Sequence, residues 1–317
     1  MVSAMAGLPG HAVITEVGPR DGLQSEPVFV PTAQKIALIE ALIAAGLRRF
    51  EVTSFVSPRA VPQMRDAAQV MAALRGRDGL HLTALVPNER GAEVAIAAGV
   101  DALVLFASAS ESHNLKNVNR SRAASLQGFA DIARLARGTG VRLQGAIATA
   151  FGCPFEGDVD VQAVVDQAAA CRDLGMDHIT LGDTTGMATP ALVVQRVEAL
   201  RKVLGDAELA LHFHNTRGVG LACVWAGLSM GVTHYESSIG GLGGCPFVPR
   251  ATGNIATEDL VYLLHESGIG TGTDLDALIG AAQLAQRIVG HELPGQVMKA
   301  GPRLRTAGMD SVRTAHG

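Results

Sequence analysis

VRLQGAIATAFGCPFEGDVDVQAVVDQAAACRDLGMDHITL, residues 141–181, decides how the rest of the chain is read. Val141–Ala148 is a short apolar run that reads as a strand. Val161–Leu174 repeats its apolar residues at the spacing of one helix face, and Gly175 stops it. His178–Leu181 then reads as a strand again. Strand, helix and strand in succession imply two parallel strands joined by a right-handed crossover.

The same unit extends in both directions. Downstream come a helix over Pro190–Leu204, a strand over Leu209–Phe213, a helix over Leu221–Met230 stopped by Gly231, and a strand over His234–Ser238. Upstream lie strands at Val13–Val17, Arg49–Thr53, His81–Val86 and Ala102–Phe106. Between and after them the spacing predicts helices over Thr32–Ala45, Val61–Leu74, about Asn88–Ala98 and about Arg122–Arg137. Eight strands alternating with helices in about 240 residues favour closure into a (β/α)8 TIM barrel over an open sheet. The barrel is expected over about residues 12–256. Extra C-terminal helices over about 257–300 are expected to cap the same single domain, 1–317. No GxGxxG follows the first strand to suggest a dinucleotide fold.

Composition narrows the function. Apolar residues make up 48% of the 317 and aromatics only 4%, so the core must be built from Leu, Val, Ile and Ala. The formal charge of −4 excludes a basic nucleic-acid surface. Cys153, Cys171, Cys223 and Cys245 are scattered without CxxC spacing, which favours a reducing compartment over a disulfide scaffold. Met1–His11 carries no Lys or Arg and no apolar run, and no stretch is long and apolar enough to span a bilayer. A cytoplasmic protein with no nucleic-acid or membrane partner is expected.

In such a barrel the active site lies where the strands end. Strand one runs into Gly18-Pro19-Arg20-Asp21-Gly22, poor strand sequence but a good loop, although an Arg–Asp pair there could equally be a surface salt bridge. Strand seven ends in His212-Phe213-His214-Asn215. Two histidines at i and i+2 share one face of a strand, and at a strand end they are better read as metal ligands than as structural residues. Gly240-Gly241-Leu242-Gly243-Gly244-Cys245-Pro246 reads as a mobile lid with little packing of its own that carries one thiol; a turn with an incidental Cys is the plainer reading. Asn254, in Thr252-Gly253-Asn254, offers an amide oxygen. Asp21, His212, His214 and Asn254 form a mixed oxygen and nitrogen set without thiolates, which suits Mg²⁺ or Mn²⁺. Glu51 and Asp183, each at a strand end, add two carboxylates that could sit near it.

These motifs resemble 3-hydroxy-3-methylglutaryl-CoA lyase. The resemblance is carried by Glu16–Gln24 (EVGPRDGLQ), Thr53–Pro58 (TSFVSP), Val61–Met64 (VPQM), Gly152–Gly157 (GCPFEG), Leu181–Thr184 (LGDT), His212–Asn215 (HFHN), Gly241–Phe247 (GLGGCPF) and Thr252–Val261 (TGNIATEDLV). It runs from about residue 13 to about 290 and meets nearly every strand end. It implies a divalent-metal-dependent lyase that splits the acyl-CoA by a retro-Claisen route into acetyl-CoA and acetoacetate. Asp21, His212, His214 and Asn254 would bind the cation. Arg20 would hold the thioester carbonyl and stabilise its enolate, Cys245 would donate or shuttle a proton, and His212 would combine ligation with proton transfer. Glu51 and Asp183 would orient Arg20, the metal water or the substrate hydroxyl. Gln24, Ser54 and Thr180 would touch the substrate, and Arg90, Lys116, Asn117 and Ser121 would contact CoA. A homodimer is implied as well.

The chain departs from the family's commonest pattern at Asn215 for Asp, Arg217 for Tyr and Thr180 for Ser. These changes flank the ligands and leave the acyl group open: citramalyl-CoA or a longer branched 3-hydroxyglutaryl-CoA are the alternatives. A sugar-phosphate aldolase on the same fold often uses a Schiff-base lysine at a strand end. Here Lys35, Lys116, Lys202 and Lys299 fall in predicted helices or loops. A barrel that binds an acyl-CoA without catalysis is the remaining class. Loss of a ligand or of Cys245 would favour it, and all of them are present.

Overall fold

Each strand is a short run with one face turned to the barrel axis and the other to a helix, so both faces are covered. The computed structural model describes residues 7–244 and 252–306. In it, strands β1 (Val13–Glu16), β2 (Arg49–Ser54), β3 (His81–Leu85), β4 (Ala102–Ser108), β5 (Arg142–Ala148), β6 (His178–Asp183), β7 (Glu208–Phe213) and β8 (His234–Ser237) pair in parallel in chain order. The sheet closes through β1 on β8, with Val13 opposite His234 and Glu16 opposite Ser237. The expected TIM barrel is therefore present. No helix among the described residues is long and apolar enough to cross a membrane.

The outer ring is α1 (Thr32–Ala44), α2 (Ala67–Leu74), α3 (Glu89–Ala98), α4 (Glu111–Val118), α5 (Arg122–Ala136), α6 (Val161–Asp173), α7 (Pro190–Leu200) and α8 (Gly220–Ser229). Its turn residues do specific work. Asn88, Ser110, Ser121, Asp160 and Thr189 each accept a backbone N–H at a helix start. Gly99 ends α3 in the left-handed conformation, φ 84°.

One helical expectation is corrected, and the expected C-terminal helices are present. The segment 61–74 is not one helix: a 3-10 turn over Pro62–Met64 precedes α2, because Pro62 holds Val61 extended and Asp66 is turned to bond Lys35 Nζ at 2.6 Å. The segment 257–300 is three helices, α9 (Thr257–Glu266), α10 (Leu275–Val289) and α11 (Val297–Ala300), interrupted at Gly268, Gly272 and Gly290, all with positive φ. α9 and α10 pack together, and α10 also lies along α1.

The start of α9 is fastened to the barrel by two buried acids. Glu16 accepts from Gly18 N, Ile239 N and the Thr257 hydroxyl, tying the ends of β1 and β8 to α9. Glu258 accepts from Gly240 N at 3.0 Å, and its other oxygen is buried without a partner. Burial pushes the Glu16 carboxyl up to about 7 and Glu258 up to about 8, against their bonds. An acid whose pKa is raised on folding contributes stability that is complete below the unfolded value, near 4.5, and lost as pH rises toward the folded value. Glu258→Gln should therefore gain stability relative to the parent as pH rises from 5 to 8, on the order of 1 kcal/mol per pH unit. Urea unfolding of both proteins across that range checks it; a constant difference would show Glu258 to be ionised in the fold.

Candidate active site

Gly18–Gly22, after β1, forms a π-helical turn, a geometry that recurs at functional sites. Its glycines are sterically required. A Cβ on Gly18 would lie 2.5 Å from Glu16 Oε1, and one on Gly22 would lie 2.8 Å from Leu242 Cβ. The turn presents Arg20 and Asp21 at the barrel mouth. Arg20 Nε donates to Glu51 Oε1 and its Nη1 to Asp21 Oδ1 at 3.0 Å. Burial opposes charge on this guanidinium, but Glu51 and Asp21 outweigh it and hold its pKa above the ordinary range.

Across the mouth, the His212 and His214 rings lie 5.2 Å apart, one at the end of β7 and one just beyond it. Ligand atoms of Asp21, His212 and His214 all fall within 4.8 Å of one another. Asn254 is brought to them by the backbone: Asn215 N donates to Gly253 O and Ile255 N to Phe213 O, zipping residues 253–255 onto the end of β7. The Asn254 amide nitrogen donates to Asp21 Oδ2 at 2.8 Å and to Leu242 O at 3.0 Å. That leaves Asn254 Oδ1 and His214 Nδ1 buried with no hydrogen-bond partner. Two buried polar atoms left without a partner beside an ionised carboxylate fit a bound cation. Burial alone would raise the Asp21 carboxyl, but Arg20, His212 and His214 bring it down to about 2. Burial, with His212 alongside, lowers His214 to about 4 and keeps its ring neutral at pH 7. Both are the protonation states that bind metal.

Sequence reading overlooked Glu236 in β8. Its Oε2 accepts from His212 Nδ1 at 3.0 Å, and its Oε1 accepts from the Thr180 hydroxyl at 2.8 Å. Burial would raise this carboxyl; the His212 bond and charge reverse that and hold it at about 2. An ionised Glu236 fixes the proton of His212 on Nδ1 and turns Nε2 free for other work. The signal was available: His234 and Glu236 stand at i and i+2, the same spacing that marked His212 and His214.

These groups line a cavity of about 510 Å³ that continues between β3, β4 and the α4–α5 region. Gln24 and Asn117 line it, as does Arg120, which sequence reading also missed. The structure does not bring every expected residue there. Ser54 is fully buried outside the lining. Arg90 and Lys116 are exposed on α3 and α4, also outside it. Ser121 lies outside it too, its hydroxyl oxygen capping α5 by accepting from Ala124 N at 3.1 Å. Thr180 reaches the lining, but its hydroxyl proton goes to Glu236. Asp183 is buried outside the lining, and its Oδ1 accepts from Met187 N and Ala188 N, which anchors the loop after β6. Burial raises this carboxyl to about 6, and His212 is close enough to act on it electrostatically.

Cys245 and Pro246 lie outside the described residues. The part of their loop that is described corrects the expectation of a segment without packing. Ile239–Gly241 is a buried 3-10 turn, and a Cβ on Gly240 would stand 2.5 Å from Leu293 Cδ1. The glycines here permit close approach and positive φ, 64° at Gly240 and 75° at Gly241. The departures near the ligands also turn out to be structural. Asn215 Oδ1 accepts from Gly220 N at the start of α8, and Arg217 Nη1 donates to the carbonyls of Thr185 and Gly186. Neither residue lines the cavity.

Comparison with known proteins agrees with this geometry. The HMGL-like family model matches residues 11–285. The chain is 42% identical over 288 residues to hydroxymethylglutaryl-CoA lyase YngG of Bacillus subtilis, covering 91% of this chain and 96% of that one. It is 44% identical over 299 residues to the (R)-citramalyl-CoA lyase of Chloroflexus aurantiacus, covering 91% and 94%. Among solved structures, an HMG-CoA lyase from Acinetobacter baumannii in complex with coenzyme A and 3-methylmalate superposes with a TM-score of 0.90 at 42% identity, covering 97% of this chain and 100% of that one. A family model spanning most of the barrel, and relatives this similar along nearly the whole chain, show that the protein belongs to the HMGL-like family.

Proposed function

We propose that the protein is a divalent-metal-dependent carbon–carbon lyase that cleaves 3-hydroxy-3-methylglutaryl-CoA to acetyl-CoA and acetoacetate. The observation that carries this reading is the placement of Arg20, held by Glu51, directly beside the Asp21–His212–His214 group in one cavity. Asp21, His212, His214 and Asn254 would hold Mg²⁺ or Mn²⁺, which when bound supplies Lewis-acid polarisation of the substrate's oxygens. With Nδ1 given to Glu236, His212 has one nitrogen, Nε2, for either the cation or a proton; as the base it would take the proton of the tertiary hydroxyl on Nε2, with Asp21, His214 and Asn254 left to hold the metal. The C–C electron pair then passes to the thioester fragment as an enolate and leaves a ketone on the other. Arg20 faces the enolate oxygen, where negative charge develops. Cys245 returns a proton to the enolate carbon, giving acetyl-CoA. Asp183 acts from behind by anchoring the loop next to His212. The CoA portion runs past Asn117 and Arg120.

Incubation with a panel of CoA thioesters and separation of the products tests the substrate. Acetoacetate with acetyl-CoA from the 3-hydroxy-3-methylglutaryl thioester is expected to dominate. Faster release of pyruvate with acetyl-CoA from citramalyl-CoA would overturn the assignment. That second reading is favoured by the identity to the Chloroflexus enzyme, which is as high as to the hydroxymethylglutaryl-CoA lyases. A longer branched 3-hydroxyglutaryl-CoA completes the panel. Against a shifted substrate stands the finding that Asn215 and Arg217 lie outside the cavity lining and bond loop backbone instead.

Cys245→Ser should keep its metal and fold but lose most cleavage, because a hydroxyl is a far weaker acid than a thiol. Near-normal turnover at normal metal content would remove the thiol from the scheme. A homodimer is the assembly we carry with this reading; a monomer by sedimentation velocity at micromolar concentration would overturn it.

A further inference from the structure

The interior of this barrel is unusual. TIM-barrel interiors are commonly filled by layers dominated by branched apolar side chains. Here a polar column descends from the active site to the opposite face. His212 Nδ1 donates to Glu236, and the Thr180 hydroxyl donates to Glu236 from below. His178 Nε2 lies 3.3 Å from the Thr180 oxygen. At the floor, where β6, β7 and β8 begin, His178 Nδ1 and His234 Nδ1 each lie 3.0 Å from a different oxygen of Glu208. The two rings meet edge to face at 4.7 Å. His234 Nε2 lies 2.8 Å from the Thr15 hydroxyl.

Counting protons along this column exposes a problem. Thr180 has one hydroxyl proton, and Glu236 takes it. The Thr180 oxygen can then meet His178 only as an acceptor, so a hydrogen bond at this 3.3 Å contact needs the ring proton on Nε2. In a neutral ring, Nδ1 is then a bare lone pair aimed at a carboxylate oxygen. Two acceptors facing each other at hydrogen-bond distance are in conflict. A second ring proton, a cation, or a neutral ring that donates Nδ1–H to Glu208 and gives up the longer Thr180 contact resolves it. His234 has no such conflict in isolation, since Thr15 can donate or accept.

We propose that the barrel floor binds a second divalent cation of the Zn²⁺ class through His178 Nδ1, Glu208 and His234 Nδ1, separate from the Asp21–His212–His214 group. Three observations favour the cation over a proton. Ligand atoms of all three residues lie within 4.8 Å of one another. Two imidazoles and a carboxylate make a donor set characteristic of zinc. Each ring has its other nitrogen against a hydroxyl, Thr15 or Thr180, and such outer partners orient metal-bound histidines. Both His residues are buried, while the Glu208 side chain is 39% exposed, so an ion can reach the site from the barrel's underside. Arg49 Nη2, 3.9 Å from Glu208, is the charge that opposes binding. Through Thr180 and Glu236, a cation here would also hold the proton of His212 on Nδ1.

The test uses a chain carrying His214→Ala, which disables the upper group, dialysed against micromolar Zn²⁺ with bound metal read by mass spectrometry. Retention of about one equivalent per chain is expected, with a rise in melting temperature. Adding Glu208→Gln should cut the retained metal at least tenfold. If Zn²⁺ is not retained, or is retained equally without Glu208, ring protons alone satisfy the floor and the proposal falls. Should the Glu208 variant not fold, the parent protein decides. Two equivalents of Zn²⁺ support the site, and one equivalent, lost with His214→Ala, overturns it.

Discussion

Chelation of divalent metal should abolish turnover, Mg²⁺ or Mn²⁺ should restore it, and His214→Ala should weaken activation by the added metal by about 100-fold or more. The size follows from what His214 does in the fold. Its Nδ1 is buried with no hydrogen-bond partner, beside Asp21, and its backbone pairs with that of Asn254, whose Oδ1 is equally orphaned. An unpartnered buried polar atom costs on the order of 1–3 kcal/mol. His214→Ala removes that orphan, so the metal-free fold loses packing but also sheds a penalty. The metal-bound state loses a neutral imidazole ligand outright, and even partners outside the ligand shell are worth about 10–100-fold in affinity. Metal titration of activity should therefore move far more than the urea midpoint of the metal-free protein. Full turnover in metal-free protein would end the metal reading. A collapse in stability equal to the loss of affinity would make His214 a structural residue.

The architecture was legible because period and punctuation agreed along the chain. In residues 141–181, helical spacing, a glycine stop and flanking apolar runs all pointed one way, and every strand fell within two residues of its expected ends. The failures have physical causes. α4, ESHNLKNV, was missed because it has no apolar stripe; it is held by the Ser110 cap instead. The C-terminal helices were expected without their bounds, because the breaks between α9 and α10, at Gly268 and Gly272, are single residues of positive φ.

For the site, strand ends and i, i+2 spacing pointed to Arg20, Asp21, Glu51, His212 and His214, and the amide chemistry of the Thr252–Asn254 stretch added Asn254. What sequence could not supply was the direction of each polar atom. Asp183, Thr180 and Ser121 are chemically suitable and locally placed, yet backbone amides, Glu236 and a helix start take up their hydrogen-bonding groups. Asn215 and Arg217 looked like changes to a substrate pocket and instead stitch loops together. Glu236 shows the converse. The i, i+2 spacing of His234 and Glu236 marks a shared strand face, but the importance of Glu236 comes from lying directly across from His212 in the β7–β8 register.

Arg20→Lys should lower kcat on the order of 10²-fold or more while changing KM much less. Arg20 is fixed by two bonds from different edges of one planar group, Nε to Glu51 and Nη1 to Asp21 Oδ1. That leaves the remaining N–H groups aimed from a rigid base, where an enolate oxygen can be met without reorganisation. A lysine keeps the charge but offers one nitrogen, which cannot satisfy Glu51, Asp21 and the substrate in the same geometry. Glu51 sharpens the effect: burial already raises its pKa, and only the Arg20 charge and bond oppose that rise. With the partner displaced, Glu51 tends toward its protonated form and ceases to orient anything. Because Asp21 also belongs to the metal group, metal content must be measured alongside the rate. A kcat loss at full metal occupancy locates Arg20 at the developing negative charge. A change confined to KM would make it a substrate-binding residue only, and a loss that tracks missing metal would assign its role to holding Asp21.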